Sequence, residues 1–373
     1  MKIIHVVESY GGGVFTSVNQ LCNGFAKDND VLLVHGVRDE TPADFATALA
    51  PRVRALQIPF TREIRPAIDL QSLRSLIQLF RTERPDVVHL HSSKAGFLGR
   101  LAAALVGCRA VVYSPRAFAF LDPAQSKLKK RLYFLLEYLG ARTGGVVVGC
   151  SRDEAKEATA VAKRVVQINN SIDVRFIESL EQGAARRNPN KPLTVGVHAR
   201  VTDAKRPGLF LEVARLVRRA RPDIRFLWIG GGEPYFVDNK DVECTGWLSR
   251  PEALTAVSRE VDVYLLTSAY EGLPLSVIEA AAMGKPSVCT AVSGTRSAVV
   301  DGYSGFLCND LDAVALASAV LRLAADDDLR TTMGRQARAL ARKEFDTPLM
   351  LARYRELYEA LVSSAAAEAA HVA

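Results

Sequence analysis

Short apolar runs of strand character alternate with amphipathic helical stretches along almost the whole chain, and that alternation is the pattern of parallel βαβ units. The first half reads as strand Lys2–Val7, helix Val14–Lys27, strand Val31–His35, helix Leu70–Glu83, strand Asp86–His91 and helix Ala95–Val106. Ala110–Tyr113 and Gly145–Gly149 add two more strands. The polar stretch Gln182–Lys191 (QGAARRNPNK) breaks the rhythm, and its Gly, Pro and charge content reads as a linker. Alternation restarts at Leu193–Val197 and runs through Gly208–Ala220, Ile224–Ile229, Pro251–Ser258 and Val261–Leu266, then the helical patterns Leu311–Ala325, Leu329–Phe345 and Pro348–Val362. A chain of 373 residues is long for one core. The expectation is an α/β protein of two Rossmann-like halves facing across a cleft. Residues 1–181 form the first domain, 182–191 the linker and 192–346 the second domain. Residues 347–373 form a C-terminal helix, with Ser363–Ala373 frayed.

One stretch of the second half, Thr267–Pro286 (TSAYEGLPLSVIEAAAMGKP), carries the densest chemistry. An apolar strand gives out before it, and Pro274 stands where a helix's first turn tolerates a residue without an N–H. Leu275, Ile278, Glu279, Ala282 and Met283 recur at helical spacing, while Gly284 and Pro286 stop the helix. The helix start then faces the strands' carboxyl ends, where open α/β sheets place ligands. Free N–H groups near Leu275 and Ser276, with the positive dipole end, make an anion site flanked by Glu271 and Glu279. A sugar nucleotide suits that geometry. A plain strand-to-helix junction fits it equally.

A second cationic element precedes it. The strand Leu193–Val197 leads into His198–Lys205 (HARVTDAK), so Arg200 and Lys205 follow a strand's carboxyl end and stand before a helix. Arg offers phosphate a bidentate fork and Lys a point charge. In the first half, Gly11-Gly12-Gly13 opens a helix without GxGxxG spacing or a following Lys-Ser/Thr, which argues against a nicotinamide cofactor and against a P-loop. Net charge +7 favours anionic partners: phosphorylated substrates, anionic membranes or nucleic acid. The six cysteines are scattered without metal spacing, as in reduced buried thiols of a cytosolic protein. The apolar run of MKIIHVV is too short for a signal peptide, and no segment approaches a membrane span.

Arg200-x4-Lys205 together with Glu271-x7-Glu279 resembles the GT4 family of retaining glycosyltransferases with the GT-B fold, which implies that the C-terminal helix of residues 347–373 packs back on the first domain. Asp86–Ala103 (DVVHLHSSKAGFLGRLAA), Ile168–Asp173 (INNSID) and the C-terminal helix around Tyr354, Leu357 and Tyr358 resemble its bacterial surface-polysaccharide members. The resemblance implies that Glu271 binds donor-sugar hydroxyls and Glu279 the ribose, while Arg200 and Lys205 hold the diphosphate. The stretch Gly272-Leu273-Pro274-Leu275-Ser276 assists them. Gly12 and Gly13 approach the donor from the first domain. Glu243, Cys244 and Thr245 (in VECTG) face the base, with Cys244 where the family has Phe. The implied donor is a UDP- or GDP-linked sugar and the acceptor a glycan, lipid-linked, at the bacterial cell surface. No metal is required. Asp28-Asn29-Asp30 and Asp326-Asp327-Asp328 read as turn or cap residues rather than metal ligands.

Many relatives carry His-Gly where this chain has Tyr113-Ser114-Pro115-Arg116, so Arg116 is a candidate contact for an acidic or phosphorylated acceptor or for the donor's phosphate, with a structural loop cation as the alternative. His91 and Lys94 are the other acceptor candidates; a lone strand His is more often packed and hydrogen-bonded. Ser126–Leu139 (SKLKKRLYFLLEYL) has a basic opening and an apolar continuation, which suits a helix lying on the anionic inner face of a membrane. Its alternative is a core helix. Two rival functions remain at this stage: a sugar-nucleotide epimerase or hydrolase of the same architecture, and a non-catalytic anion- or nucleic-acid-binding protein. No RNP-like, KH-like or helix-turn-helix signature supports nucleic acid.

Overall fold

The computed structural model describes residues 1–61, 63–182, 191–232, 235–236 and 239–372. The chain divides into two units, Met1–Asn170 with Thr347–Ala373, and Ser171–Asp346. The first boundary therefore falls earlier than the expected 181. Most of the expected 182–191 linker lies outside the described residues.

Unit one is a seven-stranded parallel sheet in the order β3-β2-β1-β4-β5-β6-β7. Its strands are β1 (Lys2–Val7), β2 (Asp30–His35), β3 (Val53–Gln57), β4 (Val87–His91), β5 (Val111–Ser114), β6 (Val146–Gly149) and β7 (Val165–Gln167). The central strands are largely apolar, with His5, His89 and His91 set among Val, Ile and Leu, because helices cover both faces. The intervening helices are α1 (Gly12–Phe25), α2 (Pro66–Glu83), α3 (Ser93–Val106), α4 (Lys127–Arg142) and α5 (Arg152–Ala158).

Unit two opens with α6 (Val174–Gln182), which packs on α8 (Arg250–Glu260) and α9 (Leu275–Ala282), and this packing moves the boundary. The other helices of this unit are α7 (Pro207–Ala220), α10 (Thr295–Ala298), α11 (Ala313–Ala325) and α12 (Asp327–Glu344). Its six parallel strands run β10-β9-β8-β11-β12-β13. They are β8 (Thr194–His198), β9 (Arg225–Ile229), β10 (Glu243–Cys244), β11 (Val263–Leu266), β12 (Ser287–Thr290) and β13 (Gly305–Cys308).

The last helix, α13 (Thr347–Val372), belongs to unit one, where Met350, Tyr354, Tyr358 and Leu361 join the core cluster of Val7, Phe25 and Val112. It continues through the segment expected to fray, as its run of alanines, the best helix formers, favours. One aspartate of each DxD stretch has a structural partner. Asp28 pairs with Arg355 of α13 (2.8 Å), and Asp326 caps α12 by accepting from Leu329 N (2.8 Å).

Helix α4 is held inward by its polar side. The Glu137 carboxylate, buried, accepts from Arg100 Nη2 (3.0 Å) and from the Tyr113 hydroxyl (2.6 Å). Its outer side is apolar. Leu128, Leu132, Leu135 and Leu139 lie at helical spacing and are 78%, 42%, 49% and 47% exposed. Lys127, Lys129, Lys130 and Arg131 open the helix over the Ser126 N-cap. None of these four cations pairs with a described carboxylate.

Candidate active site

The loop after β8 and the loop after β11 are laced together. Thr267, just beyond β11, donates its hydroxyl to the carbonyls of Lys205 (2.9 Å) and Arg206 (3.2 Å), and Ala269 N donates to Ala204 O (2.8 Å). That lacing sets Lys205 Nζ against Glu271 Oε1 at 2.5 Å, with both side chains partly exposed. Gly294 secures the same loop from the far side. Its φ is +80°, and a Cβ there would stand 2.6 Å from Gly272 O and 2.8 Å from Glu271 O. Any side chain at 294 would push the Glu271 loop out of place.

Helix α9 starts where the spacing predicts, with Pro274 as N-cap and no side chain capping it. The N–H groups of Leu275 and Ser276 find no acceptor among the described residues, the condition for an anion site. Gly272, Leu273, Pro274 and Leu275 are buried, so this stretch offers backbone rather than side chains. Glu279, 3% exposed, rests its Oε1 on Arg250 Nη2 at 2.5 Å. His198 at the end of β8 lies within electrostatic reach of Glu279, Arg250 and Lys205. Burial, against the pull of Glu279, holds its pKa below the usual histidine value. The Tyr264 hydroxyl bonds to the backbone of His198 (N at 3.0 Å, O at 3.1 Å), bracing the strand end.

Lys205, Glu271, Glu279 and the α9 start thus share one end of the unit-two sheet. Arg200 is exposed on the same loop as Lys205. Beside them, from Val201, a cavity of about 650 Å³ is lined by Gly231, Gly232, Cys244, Gly246 and Trp247. The three residues expected to face a base divide here. Cys244 is exposed and lines the cavity. Glu243 also borders it, but its carboxylate is held by Arg225 (2.7 Å). The Thr245 hydroxyl is committed to the turn, accepting from Gly230 N (3.1 Å) and donating to Gly246 O (2.9 Å). Arg250, Gly294 and the exposed Trp247 were not anticipated; they come from other elements, without a local signal, whereas His198 stands two residues before Arg200 and was passed over as part of that stretch.

In unit one, Gly12 and Gly13 are exposed at the start of α1, and Gly12 has φ +54°. A Cβ at Gly12 would meet nothing within 4 Å, so conformation and not space demands glycine there. Lys94 is engaged internally, with Asp69 Oδ1 at 2.8 Å and Thr61 Oγ1 at 3.1 Å. His91 is fully buried and shares a hydrogen bond with His5 (3.1 Å). Arg116 reaches it from the loop after β5, Nη2 lying 3.3 Å from His91 Nδ1.

Two family profiles match the chain: "Glycosyl transferase 4-like domain" over residues 12–170 and "Glycosyl transferases group 1" over residues 192–326. Among curated proteins, it is 29% identical to an Escherichia coli UDP-Gal:alpha-D-GlcNAc-diphosphoundecaprenol alpha-1,3-galactosyltransferase, over 82% of this chain and 84% of that one. It is 23% identical to the Staphylococcus aureus capsular polysaccharide biosynthesis glycosyltransferase CapM, over 81% and 83%. Anabaena HepE, solved with UDP and glucose, superposes with a TM-score of 0.77 at 19% identity, covering 97% of this chain and all of that one. Sucrose-phosphate synthase from Thermosynechococcus elongatus gives 0.79 at 18%, covering 98% and 100%. The structural matches establish the fold and the two profiles account for both units: the chain belongs to the GT4-type glycosyltransferases, built from two Rossmann-like domains of the GT-B class.

Proposed function

We propose that the chain transfers a sugar, with retention, from a nucleoside-diphosphate donor to a lipid-linked glycan during bacterial surface-polysaccharide assembly. The observation that carries the donor half is the meeting of Lys205, Glu271 and the uncapped start of α9 at one sheet end. The departing group is a nucleoside diphosphate. Lys205, Arg200 and the free N–H groups of α9 would take up its developing charge, a role that electrostatics fixed in advance performs well. Glu271 would orient the sugar and Glu279 the ribose. With that positive charge built into the chain, turnover needs no divalent metal.

UDP is the first candidate nucleotide, since the E. coli relative is named for UDP-Gal and HepE was solved with UDP. A thermal-shift panel of UDP, GDP, dTDP and ADP sugars tests this. A ligand at 100 times its Kd raises stability by about 2.7 kcal/mol, so the true donor should stand clear of the others. If none of the four shifts the transition, the donor reading fails.

The acceptor half draws on the outward leucines and unpaired cations of α4, whose charge complements an anionic lipid surface. The contact would be peripheral, at the cytoplasmic face, with α4 lying in the headgroup region; no described helix is long and apolar enough to cross a membrane. Each cation near such a surface is worth about 1 kcal/mol. Replacing Lys129, Lys130 and Arg131 by Gln should lower partitioning onto phosphatidylglycerol-containing vesicles by roughly 100-fold, and Leu132→Ser with Leu135→Ser should lower it further. Cosedimentation that ignores both sets would return α4 to a purely structural role.

A further inference from the structure

Arg116 and Ala117 are consecutive non-glycine residues with left-handed backbone, φ +61° and +81°. Such residues are strained and persist only where the surroundings over-determine them. Here Glu154, buried at the start of α5, does so, accepting from Ala117 N and Cys150 N at 2.6 Å each. Both carboxylate oxygens are thereby committed to backbone. The clamp aims the Arg116 side chain over the carboxyl ends of β4 and β5.

The partners of that guanidinium are neutral. Nη1 donates to Asn170 Oδ1 and Nη2 to His91 Nδ1, while Nε is buried with no partner. No described carboxylate forms an ion pair with it. Arginine only donates, so His91 Nδ1 accepts and the His91 proton sits on Nε2. That proton points at His5 Nδ1, 3.1 Å away, which places the His5 proton on Nε2, again without a partner. The third ring, His89, is held by Tyr358 (2.6 Å) and Ser114 (2.9 Å). The three rings form a neutral platform under a cation. A metal ion suits them poorly, because the guanidinium already faces them and His89 has both nitrogens occupied.

We infer that Arg116 is an anion-recognition residue of unit one, and that its ligand is a phosphate or carboxylate carried by the sugar acceptor. His91 is its positioning residue. The inference rests on the glycosyltransferase reading, in which Lys205 and α9 of the other unit already serve the donor's diphosphate. Arg116 is partly exposed as a residue and has no described carboxylate in ion-pair reach, and its unused N–H groups suit either oxyanion.

The test titrates inorganic pyrophosphate, and separately glucuronate, into the full chain saturated with the nucleotide found by the thermal-shift panel. The wild type should bind at least one of the two anions, and the favoured one separates a phosphorylated from an acidic-sugar acceptor. Arg116→Gln should weaken that binding by roughly 10–100-fold, with Arg116→Lys intermediate, since Lys keeps the charge but not the fork. Lys205→Ala should leave this second anion site intact. Should Arg116→Gln fail to fold, Arg116→Lys alone decides, because equal affinity for both anions in Lys and wild type overturns the assignment. Unchanged anion binding in Arg116→Gln with nucleotide binding preserved also overturns it, and leaves the donor reading standing. Absence of nucleotide binding in the wild type would instead remove the reading beneath it.

Discussion

Lys205→Ala should lower kcat/KM for sugar transfer by about 10²–10³-fold, the loss typical when one preorganised charge-stabilising donor is removed. Two effects add. The amine that would meet the departing diphosphate disappears, and its partner at 2.5 Å, Glu271, keeps a carboxylate where anionic oxygens must approach. Nucleoside diphosphate binding should therefore fall far more than nucleoside binding. Glu271→Gln in the same background separates the two effects. It removes the stranded negative charge, so the double variant should bind nucleoside diphosphate more tightly than Lys205→Ala alone, while transferring sugar no faster. Non-additivity of this kind is expected of groups in direct contact. Equal loss of diphosphate and nucleoside affinity in Lys205→Ala would place the lysine outside the phosphate site.

The pair was legible in the sequence because both members sit on loops that follow buried strands, and such loops announce themselves by where an apolar run stops. β1 was equally plain: Lys2–Val7 is a central strand covered on both faces, and Ile3, Ile4, Val6 and Val7 make it apolar on either side of His5. Edge strands were not. β3 leaves Arg54, Leu56 and Gln57 exposed, and β10 is two exposed residues, so neither carries a periodic signal. The allegiance of α6 was hidden for another reason. Its apolar stripe says that it packs, but only tertiary contacts with α8 and α9 say onto which core. Arg250 came to light in the same way, as the partner that a buried Glu279 requires.

The histidines show the limit most clearly. His89 and His91 sit two apart on β4 and so share a face, which the sequence displays. What it conceals is the register of β1 against β4, which pairs His5 with His89 and completes the cluster.

That cluster should make the folded chain sensitive to mild acid. Burial first, then the Arg116 charge and the neighbouring rings, hold His5, His89 and His91 neutral, with His5 down at about 3. Between about pH 3 and 6.5 the unfolded chain binds protons that the folded chain excludes, so stability is full above 6.5 and falls as pH drops through it. Each such proton contributes up to about 1.4 kcal/mol per pH unit, or about 4 for the three together. His35 and His198, also lowered by burial, act in the same direction. Glu8 and Glu137 oppose them. Burial raises both carboxyls, so above 4.5 the folded chain retains protons that the unfolded chain gives up. The three buried rings of the cluster give about 4 kcal/mol between pH 7.5 and 5.5 and the two carboxyls subtract from that, so stability should drop by about 2–4 kcal/mol over the window. Urea unfolding at the two pH values measures the drop, and a midpoint that stays level would mean the rings are already charged in the native fold. His5→Asn supplies the sharper check: it removes one titrating ring without touching Lys205 or Glu271, so the drop between pH 7.5 and 5.5 should shrink by about 1.4 kcal/mol. A slope that stays as steep in that variant would move the proton uptake elsewhere in the chain, and the neutral platform beneath Arg116 would go with it.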